Sequence, residues 1–162
     1  MIDTILSSYF QPVRETHWKK SLNFLYKIYY HLILFTPRYR PIITHEISTE
    51  LEAIFKEITI TKGYVLFGLV IHPNHTHLIL GTKPTHFIPN VVKDIRERTS
   101  FLIMGRYKDI QKQHKVKKLW SRNFRVETLG NFNIGKIENY LRDPKEHQLL
   151  DEWERHLEVG KK

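Results

Sequence analysis

The apolar residues of this chain change their spacing several times, and each spacing predicts an element. Alternation or a short apolar run is typical of a strand, and a period of about 3.6 residues is typical of a helix that faces a core. Strands are predicted over residues 26–36, 64–71, 75–81 and 120–129. Helices are predicted between Thr44 and Gly63 and over residues 91–107, 133–142 and 145–159.

Local signals mark the helix ends. Thr44 is suited to cap the first helix, and Gly63 is suited to close it. Farther along, Asp143 is followed by Pro144 and Glu146, an order typical of a helix start.

The resulting order is β-α-β-β-α-β with helices appended. It predicts an α+β, ferredoxin-like core, in which a four-stranded antiparallel sheet carries helices on one face, plus C-terminal helices. We expect a single domain over residues 1–162 with its core at about 26–143. Residues 1–25 show no clear period and are predicted to be an extension, as a tail or short helix. Residues 144–162 are predicted to be a C-terminal helix.

Composition excludes several classes of protein. The 162 residues contain no cysteine, which excludes a disulfide scaffold, a cysteine-based zinc or iron–sulfur site and a thiol nucleophile. A hydrophobic content of 41% is too high for a disordered chain. No apolar run reaches the roughly 18–20 residues that a membrane span needs, and the N-terminus lacks the pattern of a secretory signal. We therefore expect a cytoplasmic protein without a membrane partner.

The positive charge is concentrated in one part of the chain. Residues 83–125 hold twelve Lys and Arg against three acids, and this excess of nine equals the formal net charge of +9. A concentrated basic zone predicts a surface that binds a polyanion such as a nucleic acid. A solvated lysine-rich loop is the alternative.

His75 and His77 flank Thr76 within the third predicted strand. Residues i and i+2 of a strand project from the same face, so the two imidazoles are predicted to lie side by side. Neutral imidazole binds divalent metals, and the pair therefore forms part of a candidate metal site. Two polar positions on an exposed strand are the alternative. His72 lies across the predicted turn and is ranked below the pair.

A metal ion beside a phosphodiester orients the phosphate, but cleavage also requires a nucleophile. Without cysteine, the candidates are Ser, Thr, Tyr or water. Tyr140, between Asn139 and Arg142 on a polar-faced helix, is one candidate. Ordinary packing on an amphipathic helix is the alternative for Tyr140.

Three motifs of this chain resemble, in the same order along the sequence, motifs of the single-tyrosine transposases of the insertion-sequence 200/605 type. That family carries a His–hydrophobe–His (HUH) motif. Residues 29–43 resemble the first strand and basic loop of that family, and residues 119–131 resemble its Leu-Trp-x-Arg-x-Phe/Tyr strand and Gly-Asn turn. The family's Pro-Asp/Asn-His-x-His-Leu run is matched by Pro73, Asn74, His75, His77 and Leu78. The resemblance covers roughly residues 26–140.

The resemblance implies a ferredoxin-like core and a DNA transposase that cleaves and rejoins single-stranded DNA at hairpin-bearing ends. Counting from Gly130 places the family's catalytic tyrosine at Tyr140, whose hydroxyl would form a 5′-phosphotyrosine and release a 3′-hydroxyl. His75 and His77 would bind Mg²⁺ or Mn²⁺. A homodimer is also implied, in which the tyrosine helix of one subunit often serves the histidine pair of the other. So is a bacterial or archaeal, nucleoid-associated location.

The chain departs from the family at the third metal ligand, usually a Gln four residues after the tyrosine. Pro144 stands there, offers no side-chain ligand and ends the helix. The alternatives for a third ligand are Glu138, Asp143, His147 and Gln148. A sister group, the transposases associated with repetitive extragenic palindromes (REP), has a tyrosine helix ending in Asn-Pro. Residues 140–144 resemble that ending with an offset of one residue.

Three functions therefore stay open. The first is a metal-dependent tyrosine transposase of the insertion-sequence or REP-associated kind. The second is a non-catalytic nucleic-acid-binding relative with an eroded metal site, and the third is a phosphodiesterase that uses water. In the first, Tyr39, Tyr107 and Trp120 are candidates to stack on unpaired bases, with core packing as the favoured alternative for Trp120. The candidate DNA-binding cations are Arg38, Arg40, Lys93, Arg96, Lys115, Lys117, Lys118 and Arg122.

Overall fold

The computed structural model describes residues 4–11, 18–130 and 133–143. The strands in these ranges are β1 (Ser7–Phe10), β2 (Lys19–Lys20), β3 (Leu25–Tyr26), β4 (Tyr29–Phe35), β5 (Val65–Ile71), β6 (His75–Gly81) and β7 (Phe124–Leu129). The helices are α1 (His45–Lys62), α2 (Ile88–Arg106), α3 (Lys108–His114) and α4 (Ile134–Leu141), and a short 3-10 turn covers Pro37–Tyr39.

Five strands form one antiparallel sheet in the order β1-β5-β6-β4-β7. From β4 to β7 the large elements follow the predicted order β-α-β-β-α-β. The predicted α+β class is confirmed. The sheet has one strand more than expected, because β1 pairs with the edge of β5.

The expectation of a tail or short helix for residues 1–25 is wrong where the structure describes them. Ser7 lies opposite Ile71 in the β1–β5 pair, and Lys20 lies opposite Leu25 in a separate two-stranded ladder of β2 and β3. A strand of four residues is too short to show a period, and it forms because the edge of β5 offers unpaired backbone groups.

The two faces of the sheet are covered differently. Leu32, Leu34 and Leu78 pack in the main core with the buried residues of α1 and α2. On the opposite face, Phe67 and Ile79 share a smaller apolar cluster with residues of α4. The candidate chemistry lies on this second face, which we call the α4 face.

The predicted ends of α1 are confirmed. The Thr44 hydroxyl oxygen accepts a hydrogen bond from the amide of Ile47, and Gly63 closes the helix at a φ of 75°. Helix α2 begins three residues before the prediction, because Pro89 suits a first helical turn. Helix α3 lies between the predicted helix over 91–107 and the predicted strand over 120–129, where no element is predicted. Its single buried residue, Ile110, leaves no period in the sequence.

The predicted helix over residues 145–159, with His147 and Gln148, lies outside the described residues. Among the helices in the described ranges, none has the length and apolar character that crossing a bilayer requires.

Candidate functional site

Three histidines come together where β5 ends and β6 begins. His75 lies opposite Phe35 of β4, and His77 lies opposite Ile33, so both rings stand on the α4 face. The amide of His72 donates to the carbonyl of His75 across the turn, at 2.9 Å. Each imidazole offers one ring nitrogen, and these three atoms all lie within 4.8 Å of one another. The structure therefore adds His72 to the pair that the sequence singled out.

The donor set of these residues, His72, His75 and His77, fits a divalent metal ion; we call them the histidine cluster. With bonds of about 2.1 Å, two nitrogen ligands of one ion lie roughly 3–4 Å apart, which falls within the 4.8 Å that bounds the spacing of the cluster. Imidazole suits transition-metal ions, whereas Mg²⁺ prefers oxygen ligands. Of the two ions that the family resemblance implies, Mn²⁺ suits these donors better.

The orientation of the His75 ring is set by three neighbours. Its Nδ1 lies 2.8 Å from Oδ1 of Asn74 and 3.2 Å from the hydroxyl of Tyr39. The ring of Tyr39 stacks on that of His75, with centroids 5.7 Å apart and planes 11° from parallel. The ring of His72 also stacks on that of His75, with centroids 4.2 Å apart. Because these contacts hold the ring, His75 presents Nε2 in a defined direction.

The basic loop puts Tyr39 in this position. Arg38 and Tyr39 have left-handed φ values of 55° and 57°, a conformation that non-glycine residues seldom adopt. The hydroxyl of Thr36 supports the turn, since it bonds the carbonyls of Arg40 and Asn74 at 2.7 and 2.9 Å. Tyr39, a candidate to stack on DNA bases, thus lies against a candidate metal ligand.

Two further residues, His31 and Glu127, extend the cluster along the α4 face and were missed from the sequence. His31 Nε2 lies 2.9 Å from His77 Nδ1, and His31 Nδ1 lies 2.8 Å from Glu127 Oε1. The hydrogen bond from His31 holds the pKa of the Glu127 carboxyl below its usual value, against a smaller opposing effect of burial. The one signal in the sequence is the alternation along this strand, which puts His31 on the face of Ile33 and away from Leu32 and Leu34.

Helix α4 brings Tyr140 to the same face. The Tyr140 ring meets the ring of His31 edge-on, with centroids 6.4 Å apart and an interplanar angle of 83°. Its side chain is 40% exposed, whereas neighbouring Leu141 is buried. Arg142 fastens the end of the helix, because it donates to the Ser8 hydroxyl at 3.1 Å.

The structure describes two of the four predicted alternatives for a third ligand. Glu138 pairs with Arg142 at 3.1 Å. The close ligand group found among the described residues contains neither Glu138 nor Asp143, and His147 and Gln148 lie outside those residues.

Half of the candidate DNA-binding cations line one cleft of about 580 Å³ between α2 and the segment before β7. We call it the basic cleft, and these cations are Lys93, Arg96, Lys118 and Arg122. Its apolar part includes Val92 and Phe124. The cleft lies near the end of β4 that faces His75, because the amide of Ser121 donates to the carbonyl of Phe35 at 2.7 Å.

The other candidates lie elsewhere or are engaged. Arg40 donates to the carbonyl of His114. Arg38, Arg40, Lys115 and Lys117 are not among the residues that line the cleft. Trp120 is buried and donates its indole N–H to Thr99 at 2.7 Å, and Tyr107 donates to Glu50 at 2.6 Å.

Comparison with known proteins identifies the class of protein that carries this sheet and site. The model of the family "Transposase IS200 like" matches residues 24–144. The chain belongs to this family, as its motifs indicated.

Individual proteins resemble the chain to different degrees. The chain is 23% identical over 123 residues to the ISDra2 transposase TnpA of Deinococcus radiodurans, a match covering 76% of this chain and 88% of that protein. A crystal structure of a D. radiodurans protein described as a transposase superposes with a TM-score of 0.69 at 25% identity, covering 85% of this chain and 96% of that one. A REP-associated tyrosine transposase bound to a REP hairpin overlaps with a TM-score of 0.47 at 11% identity, covering 76% of this chain and 68% of that one.

Proposed function

We propose that this member of the IS200-like family cleaves and rejoins single-stranded DNA, with Tyr140 as the nucleophile and the histidine cluster as the metal site. The observation that carries the proposal is the position of Tyr140. Its ring meets that of His31, which in turn bonds His77, so a nucleophile and candidate metal ligands share one face of the sheet.

In the proposed step, the Tyr140 hydroxyl oxygen forms a bond to phosphorus, and the bond from phosphorus to the 3′ oxygen breaks. The hydroxyl proton ends on that 3′ oxygen, which leaves a 5′-phosphotyrosine and a 3′-hydroxyl. Attack of a 3′-hydroxyl on the phosphotyrosine reverses these changes and joins two strands. The exposure of Tyr140 leaves room for this approach.

The residues assigned to the ion are His75 and His77, with His72 as the neighbour that completes the cluster. When bound, Mn²⁺ or Mg²⁺ would polarise the phosphate as a Lewis acid. Asn74 and Tyr39 hold the His75 ring for this role. Glu138, Asp143, His147 and Gln148 remain predicted alternatives for a third ligand.

The basic cleft is proposed to hold the DNA backbone. Its cations lie beside an apolar floor near the His75 end of the sheet, an arrangement that suits a strand whose bases are unpaired. The remaining predicted contacts, Arg38, Arg40, Lys115 and Lys117, would bind DNA outside the cleft. Following the family resemblance, the substrate is DNA with hairpin ends, the active form is a homodimer, and the site of action is the nucleoid of a bacterial or archaeal cytoplasm.

Pro144 favours a second candidate, a relative that binds DNA hairpins without cutting them. It occupies the position at which the family usually carries a ligand, and its side chain has no donor atom. The two candidates share the fold and the basic cleft, and they differ in whether a covalent protein–DNA product forms.

The test is covalent capture of DNA. The full chain is incubated with Mn²⁺ and a pool of labelled single-stranded oligonucleotides, each holding an imperfect hairpin with randomised flanks. Denaturing electrophoresis then detects a covalent adduct. Wild type should form the adduct, Tyr140→Phe should abolish it, and the matched variant Tyr26→Phe should retain it. His75→Ala or His77→Ala should reduce the adduct far more than DNA binding.

Each other outcome selects an alternative. Absence of an adduct from wild type that still binds the pool supports the non-catalytic relative. Strand cleavage that survives Tyr140→Phe supports a nuclease that uses water. The sequences of captured oligonucleotides distinguish insertion-sequence ends from extragenic palindromes, and light scattering on the purified chain tests the dimer.

A further inference from the structure

A continuous chain of hydrogen bonds runs from Glu127 through His31 to His77. The register of the sheet creates it: His31 of β4 lies directly opposite Glu127 of β7, so the two side chains share a face. Ile33 lies opposite His77, which puts His77 diagonal to His31 on that same face. The two contacts measure 2.8 and 2.9 Å, and His31 is 4% exposed.

Counting protons along these hydrogen bonds shows which group donates in each of them. A carboxylate only accepts hydrogen bonds, and the lowered pKa keeps Glu127 ionised at neutral pH. His31 therefore donates its Nδ1–H to Glu127. In the neutral form of His31 the single N–H goes to Glu127, so Nε2 accepts and His77 donates its Nδ1–H. A doubly protonated His31 would donate from both nitrogens and reverse the second bond, so the direction holds for the neutral ring. The lone pair of His77 is then on Nε2.

We propose that Glu127 and His31 are positioning residues that fix His77 in the tautomer whose Nε2 can bind a metal ion. That His77 Nε2 binds a metal ion rests on the metal site proposed above. The position of the proton on the His77 ring does not depend on that site. A partner at the other ring nitrogen is what sets the tautomer and basicity of a ligating histidine. Asn74 Oδ1 does the same for His75, whose Nδ1 lies 2.8 Å away. The two ligands are thus set by different elements, His75 by the turn that precedes β6 and His77 from across the sheet.

A merely structural role for the chain of hydrogen bonds makes a different prediction. Glu127 and His31 would then stabilise the pairing of β4 with β7, and their loss would lower stability without changing which nitrogen of His77 carries the proton. A measurement of the tautomer separates the two roles. Glu127→Gln is a suitable perturbation, because the amide keeps the shape but can either accept from His31 or donate to it, so the direction of the chain is no longer imposed.

The first measurement is nitrogen-detected NMR of the histidine rings in the metal-free protein at pH 7.5. In wild type, the His77 ring should carry its proton on Nδ1 and none on Nε2. Glu127→Gln should give a mixture of tautomers. Glu57→Gln, which removes an equal charge from a contact between Glu57 of α1 and Arg98 of α2, should match wild type. A proton on Nε2 of His77 in wild type would overturn the proposal, whether or not any variant folds.

The second measurement is Mn²⁺ affinity, by calorimetry or by the electron paramagnetic resonance of free Mn²⁺. Glu127→Gln should raise the dissociation constant about 10- to 100-fold, the usual effect of losing such a partner. Glu57→Gln should leave it unchanged. Unaltered Mn²⁺ affinity in Glu127→Gln, with the fold intact by circular dichroism, counts against the proposal. If wild type itself binds no Mn²⁺, the metal site fails, and the tautomer alone decides the role of Glu127 and His31.

Discussion

Leu141 should control whether Tyr140 stays on the sheet. Helix α4 has eight residues, and isolated helices shorter than about 12–15 residues are marginal in water, so its stability depends on contacts with the sheet. Leu141 is 1% exposed and packs in the cluster that contains Phe67 and Ile79. Leu141→Ala should cost about 2–5 kcal/mol. Even the lower value shifts the docking equilibrium of α4 roughly 30-fold, since 1.4 kcal/mol corresponds to a factor of ten.

Hydrogen exchange measured by mass spectrometry checks this shift. The amides of α4 should exchange roughly 30-fold faster in Leu141→Ala, while those of β4 and β6 keep wild-type rates, because the opening is local. Leu51→Ala is the matched control. Leu51 is fully buried on α1, so its loss should lower global stability by a similar amount without selectively exposing α4. If the α4 amides of Leu141→Ala exchange as slowly as in wild type, the contacts of Leu141 do not hold the helix and the reasoning is refuted.

Three further outcomes are expected. The carboxylate of Glu127 has a lowered pKa through His31, so its stabilisation is present above pH 4.5 and is lost as pH falls through the lower folded value. Urea unfolding below pH 4.5 should therefore show a steeper loss of stability in wild type than in Glu127→Gln, and equal slopes would contradict this. Trp120→Phe removes a buried hydrogen bond to Thr99 and should lower the free energy of unfolding by about 1–2 kcal/mol; an unchanged urea midpoint would rule out a contribution from that bond. Arg122→Ala should reduce the slope of log K against log salt for single-stranded DNA by about 0.7 in fluorescence anisotropy, and an unchanged slope would exclude Arg122 from the phosphate contacts.

Much of the fold was predictable because each central element buries one face. Leu32 and Leu34 alternate with His31 and Ile33 along β4, and both leucines enter the main core. The capping residues of α1 are equally local, since Thr44 and Gly63 act on backbone groups within a few residues. Strand β1 depends instead on the free edge of β5, and pairing with a distant edge leaves no mark in four residues of sequence.

The candidate site was likewise predictable where it depends on local geometry and not where it depends on contacts between distant strands. His75 and His77 could be paired from sequence, because the two-residue repeat of a strand puts them on one face. Glu127 could not be joined to His31, because their contact depends on the register between two strands 96 residues apart in the chain. A register shift of one residue would turn Glu127 to the opposite face of the sheet.

The burial of several histidines indicates that the α4 face does more than pack the sheet. All seven residues of β6 are buried, and His31 is buried beside them. A polar group withdrawn from water costs free energy unless it is hydrogen-bonded, and apolar side chains such as Ile33 and Phe35 already fill the adjoining part of this face. If the face served only for packing, Leu or Ile would stabilise it at a lower cost in desolvation free energy than imidazoles do. Their bonds to Asn74 and Glu127 offset the cost of burial and orient the rings, as a preorganised metal site requires.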